Sequence, residues 1–181
     1  MMKKQIRLIS IIILIFVFVY GMAEKNSPEG GNAKENLIRV EHVNDGDTIT
    51  AIVDSRREKI RLIGIDTPEM GQRPWGQKAK EHLENLIAFS SWQVIIEYDI
   101  EKRDKYNRFL AYIWTKDGRM VNKEMLKSGY ALLFTFPPNV KHVEEFMSAQ
   151  SEAREKRIGI WSKNGLKQRP YDYRKEHPRK N

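Results

Sequence analysis

The chain has 181 residues and no cysteine, and its 32 Lys and Arg outnumber 24 Asp and Glu to give a formal charge of +8. This length suits one domain with tails and is enough to bury a core, while the missing cysteines exclude disulfides, a thiolate metal site and a cysteine-linked lipid anchor. The basic balance points to a polyanionic partner such as nucleic acid or an anionic surface.

The N-terminus reads as an export signal. Lys3, Lys4 and Arg7 form a positive end, residues 8–20 are apolar apart from Ser10, and Gly21, Met22 and Ala23 follow at the spacing a signal peptidase needs. Two outcomes stay open. Cleavage after Ala23 removes three cations and no acid, which takes the charge from +8 to +5; retention would leave an uncleaved anchor, on an apolar run that is short for a membrane span. Residues 24–36 are rich in Gly, Asn, Ser, Pro and charge, which marks a linker.

The domain is expected over 37–162. Residues 37–43 alternate in polarity, a turn around Gly46 follows, and 49–53 and 59–65 read as the next two strands of a meander. From Gly76 the period changes, with Ala79, Leu83, Leu86 and Ile87 on one helical face up to Phe89. Strands return at 92–100 and 109–114, separated by a charged turn. A short helix is expected next, with Asn122 as N-cap, Val121 stapled onto Leu126, and Gly129 as its stop. Residues 130–136 read as extended. A last helix spans 141–156 with Val143, Phe146, Met147 and Ala153 inward, and Ile158, Ile160 and Trp161 close the core. Residues 163–181 read as a mobile basic tail. Five short strands with three helices suggest an α+β fold, a Greek-key barrel with helices packed at one end.

Three stretches carry chemistry. Arg61 begins an apolar run that ends in Asp66, Thr67, Pro68 and Glu69. If that run is one strand, Arg61, Ile63 and Ile65 share a face, so the cation points with apolar residues. The residue before proline is held extended, so the Thr67 carbonyl is fixed in direction and Asp66 and Glu69 flank a stiff corner. Asp45-Gly46-Asp47-Thr48 adds carboxylates on a tight turn. A hard divalent cation takes oxygen ligands, and Asp47, Asp66 and the Thr67 carbonyl together could supply three. The four histidines are scattered and offer no softer site. In the charged turn, Arg108 stands just before an apolar run, as a partner for Arg61. Two planar guanidinium groups beside a phosphodiester would stabilise the added charge of a five-coordinate transition state. Lys105 and Tyr106 lie in the same turn as further phosphate or base contacts.

These three motifs, in this order and spacing, resemble the staphylococcal nuclease (thermonuclease) family from about Leu37 to Trp161, including Gly118, the Asn122 helix and the Ile160-Trp161 ending. The resemblance implies an OB-fold barrel with three helices and a calcium-dependent phosphodiesterase that acts on DNA and RNA and releases 3′-phosphates. It also implies roles: Asp47, Asp66 and the Thr67 carbonyl hold Ca2+, Glu69 is the general base or orients water, and Arg61 and Arg108 grip the phosphate. Lys105 and Tyr106 contact the nucleotide. Where the family's best-known members carry two tyrosines near a terminal phosphate, this chain has Phe134 and Phe136, which keep ring stacking and lose both hydroxyl donors. DNA and RNA are the expected partners of a monomeric enzyme, with a membrane involved only if the N-terminal segment is uncleaved. The rival is a non-catalytic binding module on the same fold, but such modules typically lack the acids or arginines that this chain retains.

Overall fold

The computed structural model describes residues 37–178; the expected signal segment (1–23) and linker (24–36) lie outside the described residues. Five strands close a barrel in the order β1-β2-β3-β6-β5. They are β1 (Leu37–Asp45), β2 (Thr48–Val53), β3 (Arg56–Leu62), β5 (Gln93–Arg103) and β6 (Phe109–Thr115). The first three form the expected antiparallel meander, β5 and β6 form a hairpin, and β5 returns to β1. One pairing is parallel: Ile60, Arg61 and Leu62 of β3 lie beside Phe109, Leu110 and Ala111 of β6. This is the small five-stranded barrel that the strand pattern suggests, and it agrees with the OB-fold barrel that the resemblance implies. Its interior is filled by Val43, Ile49, Ile60, Leu62, Val94, Ala111 and Ile113, all fully buried.

The run 59–65 is not one strand. β3 starts three residues earlier and stops at Leu62, and Gly64–Asp66 forms a separate β4 that pairs with β7 (Leu132–Phe134) outside the barrel. The break falls at Gly64, which has φ +78° and on which a Cβ would collide with the Phe146 ring. The shared face expected for Arg61 and Ile65 is therefore lost, and the chain turns back on itself just before Asp66.

Among the described residues, four α-helices pack outside the barrel: α1 (Trp75–Phe89), α2 (Val121–Lys127), α3 (Val143–Glu155) and α4 (Pro170–Glu176), with a 3-10 turn at Gly159–Trp161. In α1 the spacing of Ala79, Leu83 and Ile87 puts all three in the core, as the period predicts. In α3, Phe146, Ala149 and Ala153 face inward, whereas Met147, expected inward, is 51 % exposed, one position round the helix from Phe146. The fourth helix is an addition, formed where a mobile tail was expected.

Asn122 is not an N-cap. Helix α2 begins at Val121, after an extended Met120 that makes no side-chain cap. The Asn122 side chain instead lies fully buried between three segments: its Oδ1 accepts from the Ile113 amide at 2.9 Å, and its Nδ2 donates to the carbonyls of Ile63 at 2.8 Å and Ala111 at 3.4 Å. The Ile113 amide and the Ile63 carbonyl are the backbone groups left over where β3 leaves the barrel, so one amide ties α2 to the strand break. Asn122→Ala would strand the Ile113 amide and the Ile63 carbonyl without water and should cost about 3 kcal/mol in urea unfolding. A loss below about 1 kcal/mol would show that the bracket does not hold the break.

Candidate functional site

The strand break delivers Asp66, Thr67 and Glu69 to the mouth of the β1–β2 turn. Asp45 and Asp47 stand on either side of Gly46 in that turn, and a Cβ on Gly46 would approach Thr67 Oγ1 to 2.7 Å. A residue without a side chain is what lets the two loops touch. Asp47 Oδ2 accepts from the Thr67 amide at 3.1 Å and the Thr67 hydroxyl at 3.0 Å, while its Oδ1 accepts from Thr48 Oγ1 at 3.1 Å. Asp45 Oδ1 accepts from the Asp47 amide at 3.1 Å and holds the turn.

Arg61 runs through the middle of this arrangement. Its Nη2 is 3.0 Å from Asp47 Oδ2 and 3.7 Å from Asp66 Oδ1, and donates to the Ile65 carbonyl at 2.8 Å, while Nη1 donates to the Leu62 carbonyl. Two carboxylates from separate elements thus reach one nitrogen atom. The donors around it are all oxygen, which suits a hard divalent cation. Among the described residues no three His, Cys, Asp or Glu side chains are grouped to hold a metal ion. A cation at Asp47 and Asp66 would therefore need its third protein ligand from the backbone, where the residue before Pro68 offers the Thr67 carbonyl.

A fourth member comes from a segment with no predicted role. Arg174, in α4, straddles the Asp66 carboxylate with Nη1 2.9 Å from Oδ1 and Nη2 3.0 Å from Oδ2, and its Nη1 also reaches Glu69 Oε1 at 2.8 Å. The sequence does carry a signal for this helix: Pro170 at the first position, Asp172 in the first turn, Arg174 and Lys175 in the last. Gln72 was equally unmarked. It is 8 % exposed, and its Oε1 accepts from the Glu69 amide at 2.9 Å while its Nε2 donates to the Gln168 carbonyl at 2.8 Å.

Arg108, Lys105 and Tyr106 form a second group on the turn between β5 and β6. Arg108 pairs with Asp104 through Nε at 2.8 Å and Nη2 at 2.7 Å, so its partner is a neighbour on its own turn and not the carboxylates around Arg61. Asp104 Oδ1 also accepts the amides of Tyr106 and Arg108, which fixes the turn. The parallel pairing of Ile60 with Phe109 brings Arg108 into line beside the Arg61 strand. Tyr106 is exposed, with Lys105 Nζ 5.1 Å from its ring centroid. Phe134 pairs across the sheet with Gly64, so it sits on the strand next to the one that carries Asp66; Phe136 lies beyond the strand end, 69 % exposed.

Burial raises two of these acids. It pushes Asp45 up from 3.8 to about 6, with the Asp47 charge adding to the rise. It also raises Asp66, against the hydrogen bonds from Arg174 and the charge of Arg61.

The sequence matches the family described as staphylococcal nuclease homologue over residues 59–163, a stretch that takes in Arg61, Asp66, Glu69 and Arg108 and stops before α4. It is similar to the thermonuclease of Staphylococcus intermedius, 38 % identical over 86 % of this chain and 93 % of that protein. The thermonuclease of Staphylococcus hyicus is 35 % identical over 84 % of this chain and 92 % of its own. The endonuclease YncB of Bacillus subtilis is 31 % identical over 81 % of this chain and 72 % of its own.

The raised Asp45 carries a pH dependence. Its proton is held more tightly in the folded state, so the stability it contributes is complete below about pH 4 and is lost as pH rises through about 6. Asp45→Asn keeps the acceptor and removes the charge. In chelator, the variant should exceed the parent by about 2 kcal/mol at pH 7.5, and the gap should close near pH 4. Equal unfolding midpoints at both pH values would show that the Asp45 charge is not penalised in the folded turn.

Proposed function

This chain belongs to the staphylococcal nuclease family, and on that premise we propose that it is an exported, calcium-dependent nuclease that cleaves DNA and RNA and leaves 3′-phosphates. That it is a nuclease follows from its family and its thermonuclease and endonuclease relatives. Calcium, export and product type are the proposed part. The observation that carries the reading is the convergence of Asp47 and Asp66 on one nitrogen of Arg61, at 3.0 and 3.7 Å, beside the Thr67 corner.

Asp47, Asp66 and the Thr67 carbonyl would hold the cation. When bound, it would neutralise phosphate charge and make water a better nucleophile. Glu69 stands three residues after Asp66 across the proline corner, where it can take or orient the proton of the attacking water. The water oxygen forms the new bond to phosphorus and the bond to the 5′ oxygen breaks, so the phosphate stays on the 3′ side and the leaving oxygen takes up a proton. Arg61 holds the carboxylates in register and contributes positive charge beside the phosphate. Arg108 faces the growing charge from the neighbouring strand once the phosphate competes with Asp104 for its guanidinium. Lys105 and Tyr106 give the nucleotide a cation and a ring. Phe134 and Phe136 add stacking surface without a hydroxyl donor, which favours internal phosphodiesters over recognition of a terminal phosphate. Residues 1–23 carry the chain out of the cytoplasm, a point that N-terminal sequencing of exported protein checks.

Hydrolysis of single-stranded DNA should need calcium and stop in chelator. Arg108→Lys should lower kcat by about a hundredfold or more, because a point charge cannot replace the fork, with a smaller change in nucleotide affinity. Chelator-resistant hydrolysis would remove the calcium assignment, and a lysine variant at the parent rate would remove Arg108 from the transition state. Nucleic-acid binding without hydrolysis would favour the binding module.

A further inference from the structure

The C-terminal segment is built onto the site. After the 3-10 turn the chain folds back, with the Leu166 amide donating to the Ile160 carbonyl at 3.0 Å. Gln72 then ties the Gln168 carbonyl to the loop that also presents the Glu69 amide. Pro170 is buried, and Tyr173 sits so close over Gly71 that a Cβ there would strike its hydroxyl oxygen. The Tyr173 ring stacks on His177 at 4.1 Å, closing the end of α4. These contacts bring Arg174 to the site, where it takes both oxygens of Asp66, whose side chain is only 4 % exposed, together with one oxygen of Glu69.

We propose that Arg174 is an internal counter-cation for Asp66 and Glu69, and that a divalent cation at Asp66 displaces it, so that docking of α4 and cation binding oppose each other. The proposal rests on the calcium reading above. Its physical basis is local. A guanidinium fork uses one lone pair on each carboxylate oxygen, the bidentate geometry that gives Arg–carboxylate pairs their strength. A second positive ion on the same nearly buried carboxylate meets like charge at short range, where there is little water to screen it. The Arg174 side chain is itself 38 % exposed, so it has a path into solvent while Asp66 has none. By linkage, whatever factor the docked arginine takes from cation affinity, the bound cation takes from docking.

Calorimetric titration of calcium into the full chain and into Arg174→Gln, without nucleic acid, tests the first half. The variant should bind about tenfold more tightly, equivalent to about 1.4 kcal/mol. Hydrogen exchange in the parent tests the second half: the Tyr173 and His177 amides, bonded to the Arg169 and Tyr173 carbonyls, should exchange faster by a similar factor at saturating calcium. Tyr173→Ala loosens α4 without altering any charge at the site and should tighten calcium in the same direction, which keeps the test valid if Arg174→Gln does not fold. Equal or weaker calcium binding by the variants, or unchanged exchange in α4, would overturn the proposal while leaving the calcium reading intact. No calcium uptake by any of the three chains would remove the calcium reading, and the proposal with it.

Discussion

A guanidinium whose side chain is only 15 % exposed must find its partners inside the protein, and the requirement of Arg61 for them organises this end of the barrel. The group draws on four acceptors from three places: the carbonyls of Leu62 and Ile65, the Asp47 carboxylate from the β1–β2 turn, and the edge of Asp66. A straight strand could not supply them, because carbonyls of successive residues point to opposite sides and Ile65 would lie more than one pleat away. The reversal at Gly64 is what brings Ile65 back. Removing one member of such a pairing typically costs about 3–5 kcal/mol, since it leaves a buried charge without a partner. Arg61 is therefore a strut of the site as well as a charge within it.

The same reversal explains why the barrel has a small second sheet beside it. Once β3 lets go at Leu62, the Ile63 amide still donates to the Ala111 carbonyl at 3.1 Å, but the Ile63 carbonyl and the Ile113 amide need partners that a continuing strand would have supplied. Asn122 meets both from α2 and adds a second, longer bond to the Ala111 carbonyl. The freed segment then pairs with β7, which carries Phe134 to the position opposite Gly64. A glycine, a buried amide and two backbone groups thus determine where an exposed ring stands relative to the carboxylates. The charged turn is held independently: Arg103 pairs with Glu58 of β3 at 3.0 Å and lies over the Phe109 ring, which anchors the base of the loop that presents Arg108.

Much of this was legible in the residues, for a physical reason. Barrel strands and α1 bury one face against a single core, so period 2 and period 3.6 show directly in the sequence. The acids and arginines lie in short motifs beside turn residues whose conformations are narrow. What stayed hidden depends on tertiary partners. Asn122 satisfies every local criterion for a cap, and only the unpaired carbonyl of Ile63, 59 positions earlier, makes a buried bracket the better use of its amide. Met147 fits the inward stripe of α3 almost as well as Phe146, and the position of the barrel decides between them. The tail shows charge and few apolar residues, so composition reads it as solvated. Its order comes instead from one buried proline, one glutamine tether and an ion pair with Asp66 across 108 positions, contacts that leave no periodic trace.

Charge balance links these separate features. Asp45, Asp47, Asp66 and Glu69 place four carboxylates around the two guanidinium groups of Arg61 and Arg174. Two of the acids are raised, with burial as the largest cause in each and the Asp47 charge also contributing to both. On the calcium reading, a divalent ion would bring two charges to oxygens that each guanidinium serves with one. The two arginines differ in what such an exchange would cost them. Arg61 is bonded to backbone carbonyls as well as to acids, whereas Arg174 has carboxylates as its partners, on a short helix, with its side chain 38 % exposed. The two arginines thus meet at Asp66 but not on equal terms: the guanidinium of Arg61 is also bonded to the backbone, and that of Arg174 is bonded to the carboxylates that a cation would neutralise.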